Sequence, residues 1–148
     1  MIAHEKNPAK VFLMRYRANQ LKCAAIERAI RAAMENATNT TVALKEVVVQ
    51  TSGGGDMMAN AVISAVDATK ILEEQRQESL RIMREIMEAI NSVPDEVQQT
   101  ILIERYINGR LLQDIQNDIH YEKRNTIILH GRALWSVWQW MKRKGLCE

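Results

Sequence analysis

PDEVQQTILIERYINGRLLQDIQNDIHYEKRNTIILHGRALWSVWQWMKRKG, residues 94–145, decides how the chain folds. Proline and two acids open a helical segment that carries Val97, Ile101, Leu102, Arg105 and Tyr106 on one face and stops at Asn108-Gly109. Leu111, Leu112, Ile115 and Ile119 repeat at helical spacing in a second short segment. His120-Tyr121-Glu122 makes a turn, and Lys123 begins a longer, basic helix. Two short helices, a tight turn and a basic helix are the pattern of a helix-turn-helix. Ile115 and Ile119 then face inward from the first helix of the motif, and Thr126, Leu129, Ala133 and Leu134 from the second. Lys123, Arg124, Asn125, Ile128 and Arg132 are left pointing outward. A helix of this kind enters a major groove by its N-terminal end, where cations meet phosphates and Arg or Asn pairs with base edges.

Upstream, Val93-Pro94 ends a long helix, because the residue before proline is pushed out of the helical region. Asp56 is expected to cap that helix. Met58, Val62, Ala65, Thr69, Leu72, Ser79, Met83, Ile86, Ile90 and Val93 form its apolar stripe, interrupted by Arg76. At about 37 residues it spans near 55 Å, too long for one small domain to cover. A first long helix starts at the capping pair Asn7-Pro8 and runs to about Glu35. Phe12, Tyr16, Cys23, Ile26, Ile30 and Ala33 share one face of it, and Leu13, Met14, Leu21 and Ala25 widen the apolar surface. Between the two helices, Asn36 to Thr41 reads as a break of residues that hydrogen-bond their own backbone. Ala43 to Gln50 reads as irregular or a short helix, and Thr51 to Gly55 as a flexible loop. The long helices are expected to pack antiparallel, and their surplus apolar surface points to self-association.

A chain of 148 residues with 47% apolar and 26% charged residues has the profile of a globular protein. Its net charge of +2 is unevenly spread: Met1–Glu35 and His120–Glu148 each carry an excess of about four cations, and Asn36–Val93 an excess of about three acids. A basic C-terminal helix favours a polyanion, and a solvated helix face has the same composition. No apolar run approaches the roughly 18 residues of a membrane span, and the N-terminus lacks the apolar core of a signal peptide. Cys23 and Cys147 stand far apart without a partner motif, as in a reduced cytosolic chain.

Nothing in the pattern suggests an enzyme. His4, His120 and His130 have no metal-ligand spacing with one another or with the cysteines. Gly53-Gly54-Gly55-Asp56 lacks the Lys-Ser/Thr of a phosphate loop, and no nucleophile has a recognisable base, so neither metal nor cofactor is expected. Among the three tryptophans of the last helix, Trp138 continues the seam of Leu134 and Met141 and is expected in the core. Trp135 and Trp140 fall off that seam, where a protein interface or packing on the long helix would take them. Lys142-Arg143-Lys144 reads either as a phosphate clamp or as a solvated helix end favoured by the dipole.

Pro94…Ile101-Leu102…Arg105-Tyr106-Ile107-Asn108-Gly109, then Asp114-Ile115…Ile119-His120-Tyr121, then Thr126…His130…Ala133-Leu134 resembles region four of bacterial sigma factors. The order of elements is similar to that of the sigma-like phage regulators of the ArpU and RinA type, most strongly over Pro94–Trp138. Gln116, His120, Glu122 and the Ile127-Ile128 pair depart from the family's small residue, turn glycine, Ser/Thr cap and polar base-readers. The resemblance implies a late-gene transcriptional regulator that binds promoter DNA through the second helix of the motif. The combined expectation is an all-α fold, with a long antiparallel helical hairpin for oligomerisation over 1–93 (its loop at 36–55) and a sigma-region-four-like helix-turn-helix over 94–148. Such a protein would act in the bacterial cytoplasm as a homo-oligomer away from membranes. Its partners would be double-stranded DNA, through Lys123, Arg124, Asn125, Ile128, Arg132, Lys142 and Arg143, and host RNA polymerase. A small-terminase-like packaging protein and a helical interaction module without DNA binding are the rival readings.

Overall fold

The computed structural model describes residues 7–47 and 54–147, and among these every regular element is helical. In chain order they are α1 (Pro8–Val47), α2 (Gly54–Asn91), α3 (Glu96–Leu102), a π-helical turn (Ile103–Ile107), α4 (Leu112–Ile119) and α5 (Lys123–Arg143). No helix among them is long and apolar enough to cross a membrane. His4 and most of the 51–55 segment lie outside the described residues.

Local chemistry sets the starts and stops. Asn7 Oδ1 accepts the backbone N–H groups of Ala9 and Lys10 at 3.0 and 3.4 Å, capping α1 as the Asn7-Pro8 pair predicts. Asp95 does the same for α3, accepting the Gln98 N–H at 2.9 Å. The corner between α2 and α3 is tied by the Gln99 side-chain amide, which donates to the Val93 carbonyl at 2.6 Å. Beyond α3 the ladder slips to i→i−5, with the Asn108 N–H on the Ile103 carbonyl at 3.0 Å. Gly109 then takes φ +73°, a left-handed conformation that ends the segment.

Two expectations for the long helices need correction. The break at 36–41 is absent, because α1 continues to Val47. Asn and Thr each cost only about half a kcal/mol relative to alanine, and an established helix propagates through such penalties when no glycine or proline intervenes. The second helix begins at Gly54, so Asp56 lies inside its first turn rather than capping it.

The described chain divides into two compact units, 20–78 and the remainder. In the first, Cys23 and Leu72 are buried, and the Arg76 guanidinium pairs with Glu27, so the polar interruption of the α2 stripe has a partner on α1. The second holds the main core. α1 contributes Ala9, Phe12 and Leu13, and α2 contributes Ile82, Ile86, Ala89, Ile90 and Val93. The three-four spacing of these α2 positions turns them all to one side. Ala133, Leu134, Val137, Trp140 and Met141 of α5 close the core with Leu102 and Tyr106. Each large side chain so buried contributes on the order of 1.5–3 kcal/mol. Pro94 therefore marks a change of chain direction within one core. At the margin of this unit Arg15 pairs with Glu85 at 3.4 Å, and the buried Ser79 hydroxyl donates to Asn19 Oδ1.

The tryptophans are placed differently from expectation. Trp140 is buried, its ring 5.7 Å from that of Phe12, whereas Trp138 is only partly covered. Position 140 falls three residues after Val137 and one before Met141, which rotates it into the buried stripe. Trp135 is 60% exposed. Trp140→Ala is expected to cost about 3–5 kcal/mol in urea unfolding, against less than about 0.5 kcal/mol for Trp135→Ala. Gly109→Ala, which forces a Cβ into left-handed backbone against the Arg17 side chain, is expected to cost about 1–2 kcal/mol in the same measurement.

Candidate nucleic-acid interface

Residues 120–122 join α4 to α5, and their geometry fixes which side chains stand at the start of α5. His120 adopts φ 58° and ψ 36°, a left-handed conformation uncommon for a residue with a Cβ. Its N–H and that of Tyr121 both reach back to the Gln116 carbonyl, closing the end of α4. Glu122 precedes α5 in extended conformation, and its side chain makes no capping bond. Its carbonyl instead accepts the Thr126 N–H at 3.0 Å and the Thr126 hydroxyl at 3.1 Å. Ile115 and Thr126 are fully buried, so the two helices meet through the positions predicted to face inward.

Around this contact Lys123, Arg124, Asn125, Ile127, Ile128 and Arg132 are exposed, Lys123 and Ile127 at its edge and Arg124 and Ile128 on the far side of α5. Among the described residues no ion pair engages Lys123, Arg124 or Arg132. No acidic residue occurs anywhere between Lys123 and Arg143. A cleft of about 350 Å³ runs between α4 and α5, lined by Leu112, Gln113, Gln116, Lys123, Thr126 and Ile127. Beside it Lys123, Arg124, Ile127 and Ile128 line a shallow depression of about 510 Å³. One turn further along, a Cβ added at Gly131 would meet nothing within 4 Å.

Lys142 and Arg143 do not join this cluster. Lys142 lies nineteen positions beyond Lys123, about 28 Å along the helix at 1.5 Å per residue. The Lys142 ammonium lies 3.5 Å from the Trp138 ring centroid, and the neighbouring Lys144 bonds Glu88 at 3.2 Å. Trp135 is exposed on the same outer face as Arg124 and Ile128, and Trp140 is turned away into the core.

Two arrangements behind the interface carry no simple sequence signal. Arg110 bonds Glu104 at 3.0 Å and also Asp118, tying the end of the π turn to α4, and these carboxylates raise its pKa further above the ordinary arginine value. Arg105 adds a bond to the Arg110 carbonyl at 3.2 Å, and Asn108 one to Glu104 at 3.0 Å. The spacings of six and eight residues across a turn match no helical period, so pattern reading passes over them. Gln113 and Gln116 likewise reach the cleft only because α4 packs against α5.

The second arrangement joins Tyr106 to His130, whose Nε2 lies 2.8 Å from the phenol oxygen with the rings stacked at 5.8 Å. Burial lowers the His130 pKa to about 4, with Lys10 and Arg105 pushing the same way. Burial also raises the Tyr106 pKa to about 12 against the pull of Arg105. The pair is thus neutral at pH 7 and clamps the π turn onto α5. No group of three or more His, Cys, Asp or Glu side chains suited to a metal ion occurs among the described residues.

Because the folded pKa of His130 lies below the unfolded value of about 6.5, its neutral form favours folding. That contribution is complete above pH 6.5 and is lost as pH falls to about 4, up to roughly 3 kcal/mol in all. Urea titrations of the wild type and of His130→Gln from pH 7.5 to 4 are expected to converge through this window, the wild type losing the larger share of stability. Comparison of the chain with protein-family models, curated proteins and solved structures returns no match.

Proposed function

We propose that the chain is a transcriptional regulator of a phage or prophage that binds double-stranded promoter DNA through α4 and α5 as a sigma-like helix-turn-helix. The observation that carries this reading is the outer face of α5, which bears no acid from Lys123 to Arg143, the exposed Glu122 standing just before it. There Lys123, Arg124, Asn125 and Arg132 stand in water with no internal acid to neutralise the cations. The three-residue turn at 120–122 and the buried Ile115 and Thr126 support a rigid pairing of the two helices. Cations and helix-end amides together hold phosphate, and Arg124 and Asn125 supply donors for base edges.

In this reading α1 and α2 form an antiparallel hairpin. Two contacts support it, Arg15 with Glu85 and Asn19 with Ser79, where rising positions on α1 meet falling positions on α2. Exposed Val11 and Met14 on α1 and Leu80 on α2 provide apolar surface for a homo-oligomer or for host RNA polymerase in the bacterial cytoplasm. Lys142 and Arg143 act as a separate phosphate contact at the far end of α5. The exposed Ile127, Ile128 and Trp135 favour one second reading, a helical module that docks on protein instead of DNA.

Fluorescence anisotropy with promoter duplexes across a salt series separates the two. Regulatory binding weakens steeply with salt, and the double change Lys123→Ala, Arg124→Ala lowers the log–log slope by about two. Absence of any duplex binding at low salt would overturn the regulator reading.

A further inference from the structure

We infer that Ile127 and Ile128 read thymine, by burying its C5 methyl group in the shallow depression they share with Lys123 and Arg124. This rests on the DNA-binding reading above and adds to it the chemistry of the base contact. Ile127 is 51% exposed and Ile128 41%, so two large apolar side chains face water where a groove-entering helix carries its base contacts. Lys123 stands four residues before Ile127, and Arg124 four before Ile128, so each isoleucine lies one turn from a cation on its own side of the helix. These four residues line the depression between them. Its apolar floor and cationic rim have different demands. The rim, with no acid from Lys123 to Arg143, complements a polyanion. The floor complements an apolar group, and the apolar group of a duplex major groove is the thymine methyl.

Gly131 adds a second observation. A glycine inside an exposed helix is less favourable than alanine, yet an added Cβ at 131 would meet nothing within 4 Å inside the protein. Its bare backbone, one turn beyond Ile127 and Ile128, leaves room for the sugar-phosphate wall to approach the helix closely. The cytosine edge offers an amine and no methyl, so a pair of isoleucines rejects it by leaving that donor unpaired. The face as a whole suits duplexes with thymine at one or two major-groove positions.

The test uses the full chain and duplexes enriched by binding from a random pool. Each thymine of the enriched site is replaced in turn by uracil, which removes the methyl and nothing else. At one or two positions the change is expected to weaken binding about four-fold, the worth of one buried methyl, with no effect elsewhere. The exposed double change Ile127→Ala, Ile128→Ala is expected to abolish this thymine-over-uracil preference and to leave the salt slope intact. Gly131→Ala is expected to raise the thermal midpoint by about 2 °C while weakening duplex binding. Tight, salt-sensitive binding indifferent to uracil at every position would overturn the inference and leave the DNA-binding reading standing. Failure to enrich any duplex at low salt would overturn both. Dispersal of an oligomer by the double isoleucine change, with thymine preference unaltered, would make the pair a contact between copies and overturn the inference alone.

Discussion

One helix has to satisfy two environments at once, and the main hydrophobic core depends on it. α5 buries Ala133, Leu134, Val137, Trp140 and Met141 along one stripe and leaves Arg124, Ile128, Arg132 and Trp135 on the other. The 3.6-residue period makes this possible only if each buried position recurs at three or four residues, which these do. Removing the stripe would take away the surface on which Phe12 of α1 and the last turns of α2 pack. The outer face is therefore held in position by burial on the inner one, and its side chains owe their placement to buried residues.

Charge is sorted in the same way. Cations with structural work have acids beside them: Arg110 with Glu104 and Asp118, Lys144 with Glu88, Arg15 with Glu85, Arg76 with Glu27. All of these pairs are at least partly exposed and individually worth little, so their value lies in fixing geometry more than in stability. Lys123, Arg124 and Arg132 stand outside that scheme. A positive field left uncompensated on one helix face attracts anions at long range and falls off with ionic strength.

Legibility in the sequence followed the range of the interaction. The cap at Asn7, the stop at Gly109 and the turn at 120–122 depend on neighbours within a few residues and could be read directly, whereas Asp95 was read only as an acid near the start of its helix and Asp56 as a cap it does not supply. Of the six inward positions expected from helical period alone, Ile115, Thr126, Ala133 and Leu134 are buried and Ile119 and Leu129 are half-buried. The break expected at 36–41 failed because local preference is weak beside the cooperativity of a long helix. Trp140 was misassigned because several stripes of an aromatic-rich helix fit a seam, and only the partner, Phe12, selects one. The Arg110 clamp and the Tyr106–His130 contact join residues across turns and between helices, where no period applies. The outward cations of the candidate interface were legible, whereas the far placement of Lys142 and Arg143 emerged only from helix length.

The three tryptophans occupy three optical environments on a single helix. Trp140 is enclosed against Phe12, Trp138 lies under the Lys142 ammonium, and Trp135 stands in water. A collisional quencher in the solvent meets Trp135 first and Trp140 last. Intrinsic emission therefore divides between a reporter of the outer face of α5 and a reporter of its inner packing. Anything that settles over the outer face would shift the first and leave the second dark to the event, without a label on either partner.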